Sequence, residues 1–498
     1  MRLDLIKYIN KINRKAMVPK RLLDLFIAQG SSTIPELSKA AGVSLPTATS
    51  ALNELMSMGL AREIGKKDNA TGRIPMVYDL VPTAGYFIGA NPEMDCLALA
   101  ASDFCGNLIV EKTRVPYRYE NTPENLEQLG SIINDFIDTL PIKRDDILNV
   151  CVNVAERVNP FEGRAYNMFT FTDIPLTQKI SEMIQLPVCI ENDTRSMTYA
   201  ELIKGCCKGL KDVVFVNVCW GIGIGIIIDG KLYYGKSGYS GEFGHMPSYN
   251  NDIICHCGKI GCVETEVSGR ALKRKLTEQL LAGKQSILSD KVVNRKEELT
   301  LQDILDAIAK EDVLSLATLQ KVADELGKQL AGVINIFNPE MLVIGGEMSA
   351  TGDYITLPVN MGIKKFSLNI MNEDSKIVTS TLKGKAGVLG ACLMARRRLM
   401  TIQPKRKKYQ HYVREKKLRT KPKRHEEKPS HWHHAMLSDD AGNSTKKIPT
   451  SGTCAPYSYC QTSGMAKDGD LRFHSLRTEY VQRQGMGLRQ QRCEDLQS

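Results

Sequence analysis

Apolar positions recur at helical spacing in three short segments near the start of the chain. The first segment ends at a glycine, and Thr33 followed by Glu36 has the spacing of a capping box, which predicts a second helix there. Gly42 marks a tight turn, and Ser44 is placed to cap a third helix over residues 44–57. The predicted buried positions are Leu22, Leu23, Leu25 and Phe26, then Leu37, Ala40 and Ala41, then Ala48, Ala51, Leu52 and Leu55. This pattern predicts a helix-turn-helix.

Polar side chains cover the outer face of the third helix, and a hairpin with a basic turn follows it. Two short strands, residues 60–64 and 74–78, flank the turn KKDNATGR, so we interpret the hairpin as a wing. Such a domain presents its third helix to the major groove and its wing to phosphates or the minor groove. The candidate DNA contacts are Ser44, Thr47, Thr49, Ser50 and Asn53 on the helix and Lys66, Lys67 and Arg73 in the wing. A three-helix protein-interaction domain is the alternative, and the basic wing disfavours it.

From residue 82 onward the pattern changes to strands and longer helices. The strand-like runs are residues 86–90, 96–102 and 213–218, and the helical stretches include 125–140 and 319–337. Because the strand-rich pattern occurs twice, we expect a duplicated α/β body with lobes over residues 82–200 and 201–398. An N-terminal winged helix-turn-helix domain over residues 1–80 precedes it.

The formal charge of +10 is unevenly distributed along the chain. Residues 403–428 contain 12 lysines and arginines against three glutamates, and residues 1–80 contain 12 against seven acidic residues. The remaining body is slightly acidic, which favours a polyanion as the partner of the N-terminal domain alone. Residues 399–498 lack the apolar periodicity that a core requires, so we expect a disordered tail. A nonspecific DNA-binding tail is the functional alternative.

The chain shows no sign of export or membrane insertion. It has no run of about 18 apolar residues, and its N-terminus lacks the continuous apolar core of a signal peptide. We therefore expect a cytoplasmic protein without a membrane span. Its 14 cysteines are expected to be mostly reduced thiols.

One cysteine cluster needs its own explanation, because the decapeptide CHCGKIGCVE holds three thiols. Cys255, Cys257 and Cys262 lie downstream of His245, and one imidazole with three thiolates is a closed tetrahedral set for structural Zn²⁺. An odd number of thiols disfavours a disulfide knot, as does the Cys-x-Cys spacing. Buried cysteines without a ligand are the alternative.

Several motifs of the body resemble those of the ROK family, which comprises repressors, uncharacterised reading frames and sugar kinases. The resemblance covers residues 18 to about 398 and rests on END at 191–193, GEFGH at 241–245, CHCGKIGCVE at 255–264, NPEMLVIGG at 338–346 and GVLGA at 387–391. It implies an actin-like, ribonuclease-H-like ATPase fold in which zinc orders the segment beside a sugar pocket. It also implies sugar-binding roles for Asn192, Asp193, Glu242, His245 and Glu264. Ordinary loop capping is the alternative role for Asp193 and Glu242.

The chain departs from the family kinases where those bind ATP. Family kinases carry Asp-x-Gly-Gly-Thr at the first strand turn, where this chain has IGANPE at 88–93, and Glu93 places an anion there. Fewer backbone donors and an added carboxylate both disfavour a phosphate. In the second phosphate loop, Trp220 replaces a threonine and is expected to fill nucleotide space. Around Glu156 and Arg157, a Pro-Gly pair is also missing.

These departures favour a regulator over an enzyme. Asp193 matches the base of the family kinases, but without a phosphate cradle it has no catalytic role, and no ATP is expected. We expect a sugar-responsive transcriptional regulator of carbohydrate metabolism genes that acts as a repressor. It is expected to bind a double-stranded operator as a homodimer or homotetramer. The alternative is an ATP-dependent sugar kinase, of the glucokinase or N-acetylhexosamine kinase type, fused to a DNA-binding module. A third hypothesis is a regulator that senses a protein partner.

Overall fold

The computed structural model describes residues 2–14, 17–66 and 75–401 of the chain. The helices are α1 Arg2–Arg14, α2 Val18–Gln29, α3 Ile34–Ala41, α4 Leu45–Ser57, α5 Pro123–Asp138, α6 Leu176–Ile184, α7 Asp193–Lys204, α8 Glu264–Val267, α9 Gly269–Leu281, α10 Leu301–Ala309, α11 Val313–Phe337, α12 Asp353–Phe366, α13 Asn369–Asp374 and α14 Ala386–Met400. Within the described ranges, none of these helices is both long and apolar enough to cross a bilayer. The predicted disordered tail began at residue 399, and the prediction was wrong for Leu399 and Met400, which belong to α14 because Met400 is buried against the core. The rest of the tail, from residue 402 onward, lies outside the described residues.

The strands form two larger sheets and two small ones. They are β1 Ser32–Thr33, β2 Ala61–Lys66, β3 Met76–Leu80, β4 Tyr86–Pro92, β5 Cys96–Ser102, β6 Leu108–Pro116, β7 Ile147–Val154, β8 Val158–Asn159, β9 Arg164–Ala165, β10 Val188–Asn192, β11 Val213–Val218, β12 Ile222–Ile228, β13 Lys231–Leu232, β14 Met341–Gly345 and β15 Lys376–Thr379. Strands β8 and β9 pair only with each other.

Helices α2, α3 and α4 form the N-terminal head, which we define as residues 17–81. The predicted capping box is present, since Thr33 accepts from the Glu36 amide and the Glu36 carboxylate accepts from the Thr33 amide at 2.8 Å. Ser44 caps α4 as predicted, and Gly42 takes the left-handed conformation with φ of 65°. All four apolar residues predicted to face inward from α4 are buried. The prediction was wrong for Ala40, which is exposed, because the buried face of α3 turns through Leu37 and Ser38.

A hairpin follows the three helices. Strands β2 and β3 pair antiparallel with a bulge between Glu63 and Gly65, and β1 adds to the outer side of β3. The second strand of the hairpin begins at Met76, two residues later than the pattern predicted. The tip of the hairpin, residues 67–74, lies outside the described residues.

Helix α1 was not predicted. Leu5, Ile9 and Ile12 are buried on one of its faces, in the same apolar cluster as residues of the head and of the body. The helix contacts α2 on the head side and α14 and β7 on the body side. Helix α1 therefore lies at the junction of the head with the body.

The body contains the same sheet twice. The first sheet has the order β6-β5-β4-β7-β10 and the second has the order β13-β12-β11-β14-β15. In both, the first three strands are antiparallel neighbours and the last two run parallel to the central strand. The repeated topology agrees with the predicted duplication. Because strands that run parallel end at the same edge, β10 and β14 bring their carboxyl ends to corresponding edges of the two sheets.

Candidate functional site

The carboxyl end of β10 carries two of the predicted sugar-binding residues. Asn192 caps α7 by accepting from the Arg195 amide at 3.1 Å, and its amide group donates to the Asp193 carboxylate at 3.0 Å. The Asn192 amide group also lies 3.4 Å from the Glu156 carbonyl. Asn192 thus has a capping role, and its amide group links the strand end to the 155–157 segment.

Asp193 begins α7 and faces the second sheet. Its Oδ1 accepts from the Thr194 amide at 2.7 Å, and its Oδ2 lies 3.3 Å from the side-chain amide of Asn217 on β11. Desolvation raises the pKa of Asp193 to about 6, against the hydrogen bonds from Thr194. A carboxyl group with a raised pKa in a cleft is typical of a ligand or catalytic site.

The four predicted metal ligands lie together. Their ligand atoms are within 4.8 Å of one another. Cys257 and Cys262 are 3.7 Å apart between sulfurs, and Cys255 Sγ is 3.6 Å from His245 Nδ1. Gly258 and Gly261 take positive φ values of 82° and 73°, and a Cβ on Gly261 would lie 2.1 Å from the Tyr249 carbonyl oxygen. The tight loop around the thiols therefore depends on glycine.

This donor set fits a metal ion. Ligand bonds of about 2.0–2.3 Å in a tetrahedron put neighbouring donor atoms 3.3–3.8 Å apart, on the order of the separations seen. Burial raises the pKa of Cys255 to about 12, so its thiolate needs a nearby cation to form. The Cys/His cluster can hold a metal ion, which favours this interpretation over buried cysteines without a ligand.

His245 also faces the other predicted sugar residues. Its Nδ1 points to Cys255, whereas its Nε2 lies 3.7 Å from the Glu242 carboxylate. Desolvation raises the pKa of Glu242, with Arg157 acting in the opposite direction. The Nδ1 of the imidazole thus lies at the metal cluster, and its Nε2 lies beside the predicted sugar-binding residue Glu242.

Sequence reasoning missed His256, the central residue of Cys-x-Cys. Its Nδ1 lies 2.6 Å from Glu264 Oε1, and its Nε2 lies 3.8 Å from Glu156. The other Glu264 oxygen accepts from the Ile222 amide at 3.3 Å. The signal was present in the sequence, because an imidazole between two predicted metal ligands must lie close to them, and its Nδ1 is 3.7 Å from Cys255 Sγ.

The segment that replaces the family Pro-Gly pair also lies at this pocket. Glu156 forms an ion pair with Arg157 at 3.0 Å, and their charges act on Glu242. The five predicted sugar-binding residues therefore lie in one cluster, together with Glu156, Arg157 and His256. Carboxylates that accept from vicinal hydroxyls and amides that both donate and accept suit a polyhydroxylated ligand.

Carboxylates gather at the opposite end of the cleft, where the first strand turn faces the second sheet. Asn91, almost fully buried, donates to Glu93 at 3.1 Å, and the Cys96 thiol donates to the other Glu93 oxygen at 3.3 Å. Desolvation, followed by the charges of Glu93 and Asp95, raises the pKa of Glu347, which follows β14. The turn between β4 and β5 thus satisfies its own polar groups and meets a carboxylate from the other lobe.

Trp220, the replacement in the second loop, lies against α9. The Arg270 guanidinium is 5.6 Å and the Lys273 ammonium 5.5 Å from the centre of its ring. These cation–π contacts hold the indole between the loop and the helix. That the indole fills nucleotide space stays a prediction.

Most of the predicted DNA contacts that the structure describes are exposed on the head. Ser44, Thr47, Ser50 and Asn53 are exposed on α4, and Lys66 is exposed at the end of β2. Thr49 is half-buried and its hydroxyl donates to the Leu45 carbonyl at 2.8 Å. Lys67 and Arg73 lie outside the described residues. The exposed positions of α4 are therefore short and polar apart from Leu45 and Pro46 in its first turn.

The repeated sheets and the cleft between them define an actin-like α/β body of the sugar-kinase type. The model of the ROK family matches residues 98–398, which is more than half of the chain. The chain belongs to the ROK family.

Two curated relatives and one solved structure indicate how far the similarity extends. The xylose repressor of Caldicellulosiruptor bescii is 28% identical over 395 residues, covering 78% of this chain and 96% of the relative. The glucokinase of Halalkalibacterium halodurans is 31% identical over 279 residues, covering 54% and 84%. The crystal structure of a ROK family transcriptional regulator, a homolog of the E. coli MLC protein, aligns with a TM-score of 0.65 at 26% identity, covering 78% and 97%. The two regulators each match 78% of this chain, a larger share than the body alone makes up.

Proposed function

We propose that the chain is a sugar-responsive transcriptional repressor of carbohydrate metabolism genes. In this proposal the head is a winged helix-turn-helix that binds double-stranded operator DNA. The kinase-like body binds a sugar or sugar derivative as effector. The similarity to the xylose repressor and to the ROK regulator, which covers nearly the whole length of both, supports it.

One observation carries the choice of a regulator over an enzyme. The turn between β4 and β5 is occupied by Asn91, Glu93 and Cys96, which hydrogen-bond to one another. Glu347 approaches the same turn and has a raised pKa beside Glu93. The phosphates of ATP would meet carboxylates here instead of the amides and cations that phosphoryl transfer requires.

The effector lies against Asn192, Asp193, Glu242, His245 and Glu264 in this proposal, with Asp193 as a ligand-binding residue. His245, Cys255, Cys257 and Cys262 hold a structural Zn²⁺, which fixes the loop that carries His256 and leads into Glu264. The metal supplies folding stability to that loop and takes no part in a reaction.

The DNA interface consists of Ser44, Thr47, Thr49, Ser50 and Asn53 on α4 with Lys66, Lys67 and Arg73 in the wing. One recognition helix contacts only half of a two-fold operator, so the functional unit is a homodimer or a larger even assembly. Sugar changes DNA affinity only if it binds the two arrangements of the heads with different affinity.

The test is a titration of fluorescent DNA from upstream of the protein's own gene, with and without D-xylose, D-glucose and N-acetyl-D-glucosamine. We expect at least one sugar to change the affinity for DNA by fivefold or more, the lower end of the usual range of about 5- to 150-fold. Asn53→Ala should weaken DNA binding by about fivefold or more, given about 1–3 kcal/mol for a base contact. Asn10→Ala, an exposed asparagine on α1, is the matched control. DNA binding that is unaffected by Asn53→Ala would count against this interface.

A sugar kinase is the second candidate, because Asp193 keeps the position of the kinase base and the Halalkalibacterium glucokinase is 31% identical. A coupled assay with ATP and the same three sugars separates the two functions. We expect no turnover above that of Asp193→Asn. Robust turnover by the wild type would make the chain a kinase with a DNA-binding module.

A further inference from the structure

A buried ion network lies directly behind the proposed sugar-binding loop. Glu191, the residue before Asn192, is fully buried, and its Oε1 accepts from Arg195 Nε at 2.8 Å. Its Oε2 accepts from Arg398 Nη2 at 2.8 Å and from the Tyr234 hydroxyl at 3.0 Å. Burial opposes ionisation, but Arg195 and Arg398 outweigh it and lower the pKa of Glu191 to about 2. The carboxylate is therefore ionised and pairs with two cations.

The network reaches the last turn of α14. Arg397 donates to the Tyr234 hydroxyl at 2.8 Å, so this hydroxyl connects Glu191 with Arg397, whereas Arg398 binds Glu191 directly. The Arg397 guanidinium also lies 5.0 Å from the centre of the Tyr199 ring on α7. The start and middle of α7 and the end of α14 are thus held together through charged and aromatic side chains.

The same turn of α14 holds α1. The Asn13 side-chain amide, almost fully buried, donates to the Leu399 carbonyl at 3.0 Å. Met400 joins the apolar cluster that contains Ile9 and Ile12 of α1. The connection runs over a large sequence separation, because Asn13 and Leu399 are 386 residues apart. The end of the body therefore contacts the start of the chain directly.

Helix α1 in turn contacts the head. Tyr8 is buried beside Glu54 of α4, and burial, with the charge of Glu54, raises the pKa of Tyr8. Leu5 and Ile9 share an apolar cluster with Leu22 and Leu55 of the head. Within the described residues, an unbroken series of contacts leads from the sugar-binding loop to the proposed recognition helix.

We propose that Tyr234, Arg398 and Asn13 are positioning residues that couple sugar binding to the placement of the DNA-binding head. The inference rests on the proposed function, since it needs a sugar site and a DNA site. A ligand that forms hydrogen bonds with Asn192 and Asp193 moves the start of α7, and Glu191 moves with it. Because Glu191 is ionised and buried, its two arginines follow it, and the end of α14 shifts against α1. Packed interfaces pass on such small displacements, since they have a few discrete arrangements and resist gradual deformation.

The test compares Tyr234→Phe and Asn13→Ala with the full-length wild type. Tyr234→Phe removes only the hydroxyl between Glu191 and Arg397, and Asn13→Ala removes only the bond between α1 and α14. DNA affinity is measured with and without D-xylose, D-glucose and N-acetyl-D-glucosamine, tested in turn, and sugar affinity is measured without DNA. We expect both single affinities to stay within about threefold of wild type while the effect of sugar on DNA affinity falls below twofold. A merely structural role would lower both affinities and leave their ratio unchanged.

Exposed neighbours supply the matched controls. Tyr233→Phe removes a hydroxyl next to Tyr234, and Asn10→Ala truncates an asparagine on the outer face of α1; both should keep the wild-type sugar effect. Full retention of that effect in Tyr234→Phe and in Asn13→Ala would overturn the coupling route.

Hydrogen exchange tests the same connection without a sugar. Amide hydrogen exchange in residues 2–14 should be faster in Tyr234→Phe than in Tyr233→Phe. Loss of the Tyr234 hydroxyl loosens the end of α14, which holds α1. Equal exchange in the two variants would also overturn the route. If exchange changes as expected but no sugar alters DNA binding by the wild type, the proposed effector response is wrong while the physical connection stands.

Discussion

The two ends of the cleft between the lobes differ in the chemical groups that they present to a ligand. At the sugar end, Asp193, Glu242 and Glu264 lie among amide and imidazole partners, next to a Cys/His cluster that can hold a metal. At the other end, Glu93 and Glu347 lie where phosphates would need donors. The sheets beneath both ends have the same topology. The fold therefore imposes neither end's chemistry, and a few loop residues decide which ligand each end accepts.

In the proposed function, a scaffold of the kinase type serves in sensing. Binding a sugar needs only the acceptors and donors of one end, whereas phosphoryl transfer needs both ends at once. Replacing the phosphate end removes the second substrate and leaves the first site intact. The following variants test how far the two ends are independent.

The largest effect is expected from Cys257→Ser at the metal cluster. Losing a thiolate ligand should reduce bound zinc from about one per chain to near zero. It should also lower the free energy of unfolding by more than about 4 kcal/mol, since structural zinc contributes on the order of 10 kcal/mol to folding. Elemental analysis and denaturant unfolding of purified protein measure both.

Cys105→Ser is the control, because Cys105 lies outside the cluster. Its thiol donates to the Leu80 carbonyl at 3.6 Å, a contact that a serine hydroxyl can replace. It should keep the zinc and most of the stability. Equal metal content in both variants would mean that this cluster is not the zinc site, and the sugar end would lose its rigid wall.

The metal cluster could be predicted from sequence because its three thiols are close together along the chain, whereas the sugar-binding roles were inferred from the family resemblance. Cys255, Cys257 and Cys262 span eight positions, and ligand spacing of this kind limits the geometry to a closed loop. The caps at Thr33 and Ser44 were predictable for the same reason, since a cap and its partner are three residues apart.

Contacts between distant residues could not be predicted in this way. Helix α1 carries an amphipathic pattern of its own, with Leu5, Ile9 and Ile12 on one face, but that pattern does not tell which elements the face packs against. Asn13 meets Leu399 across nearly 400 residues. Glu347 and Glu93 likewise meet only once the two sheets face each other. A single sequence carries no signal for which remote elements pack together, so both findings needed the structure.

A smaller effect is expected from Glu264→Gln at the sugar end. The substitution keeps an acceptor for the Ile222 amide but removes the charge that faces His256. A hydrogen bond to a charged group contributes about 1.5–3 kcal/mol, so sugar affinity should fall about 10- to 100-fold. Isothermal titration with the sugar found by the DNA assay measures the loss, and the exposed Glu298→Gln is the control. Unchanged affinity would remove Glu264 from the sugar site and break the contrast between the two ends.

The smallest effect is expected from Asp193→Asn, also at the sugar end. Folding raises the pKa of Asp193 from the ordinary 3.8 to about 6, so the folded state holds this proton more tightly than the unfolded state does. Stability contributed by this group is therefore present below pH about 4 and is lost as pH rises through about 6. Asparagine avoids that loss and can still accept from the Thr194 amide. The free energy of unfolding of Asp193→Asn should therefore exceed that of wild type by about 1–3 kcal/mol at pH 7.5, with no such excess at pH 4. Denaturant unfolding at the two pH values measures the difference.

The exposed Asp173→Asn is the control, and its free energy of unfolding should stay within about 0.5 kcal/mol of wild type at both pH values. An Asp193→Asn protein less stable than wild type at pH 7.5 would show that the ionised carboxylate is held by favourable contacts, and Asp193 would then be a structural residue of α7 instead of a group reserved for a ligand.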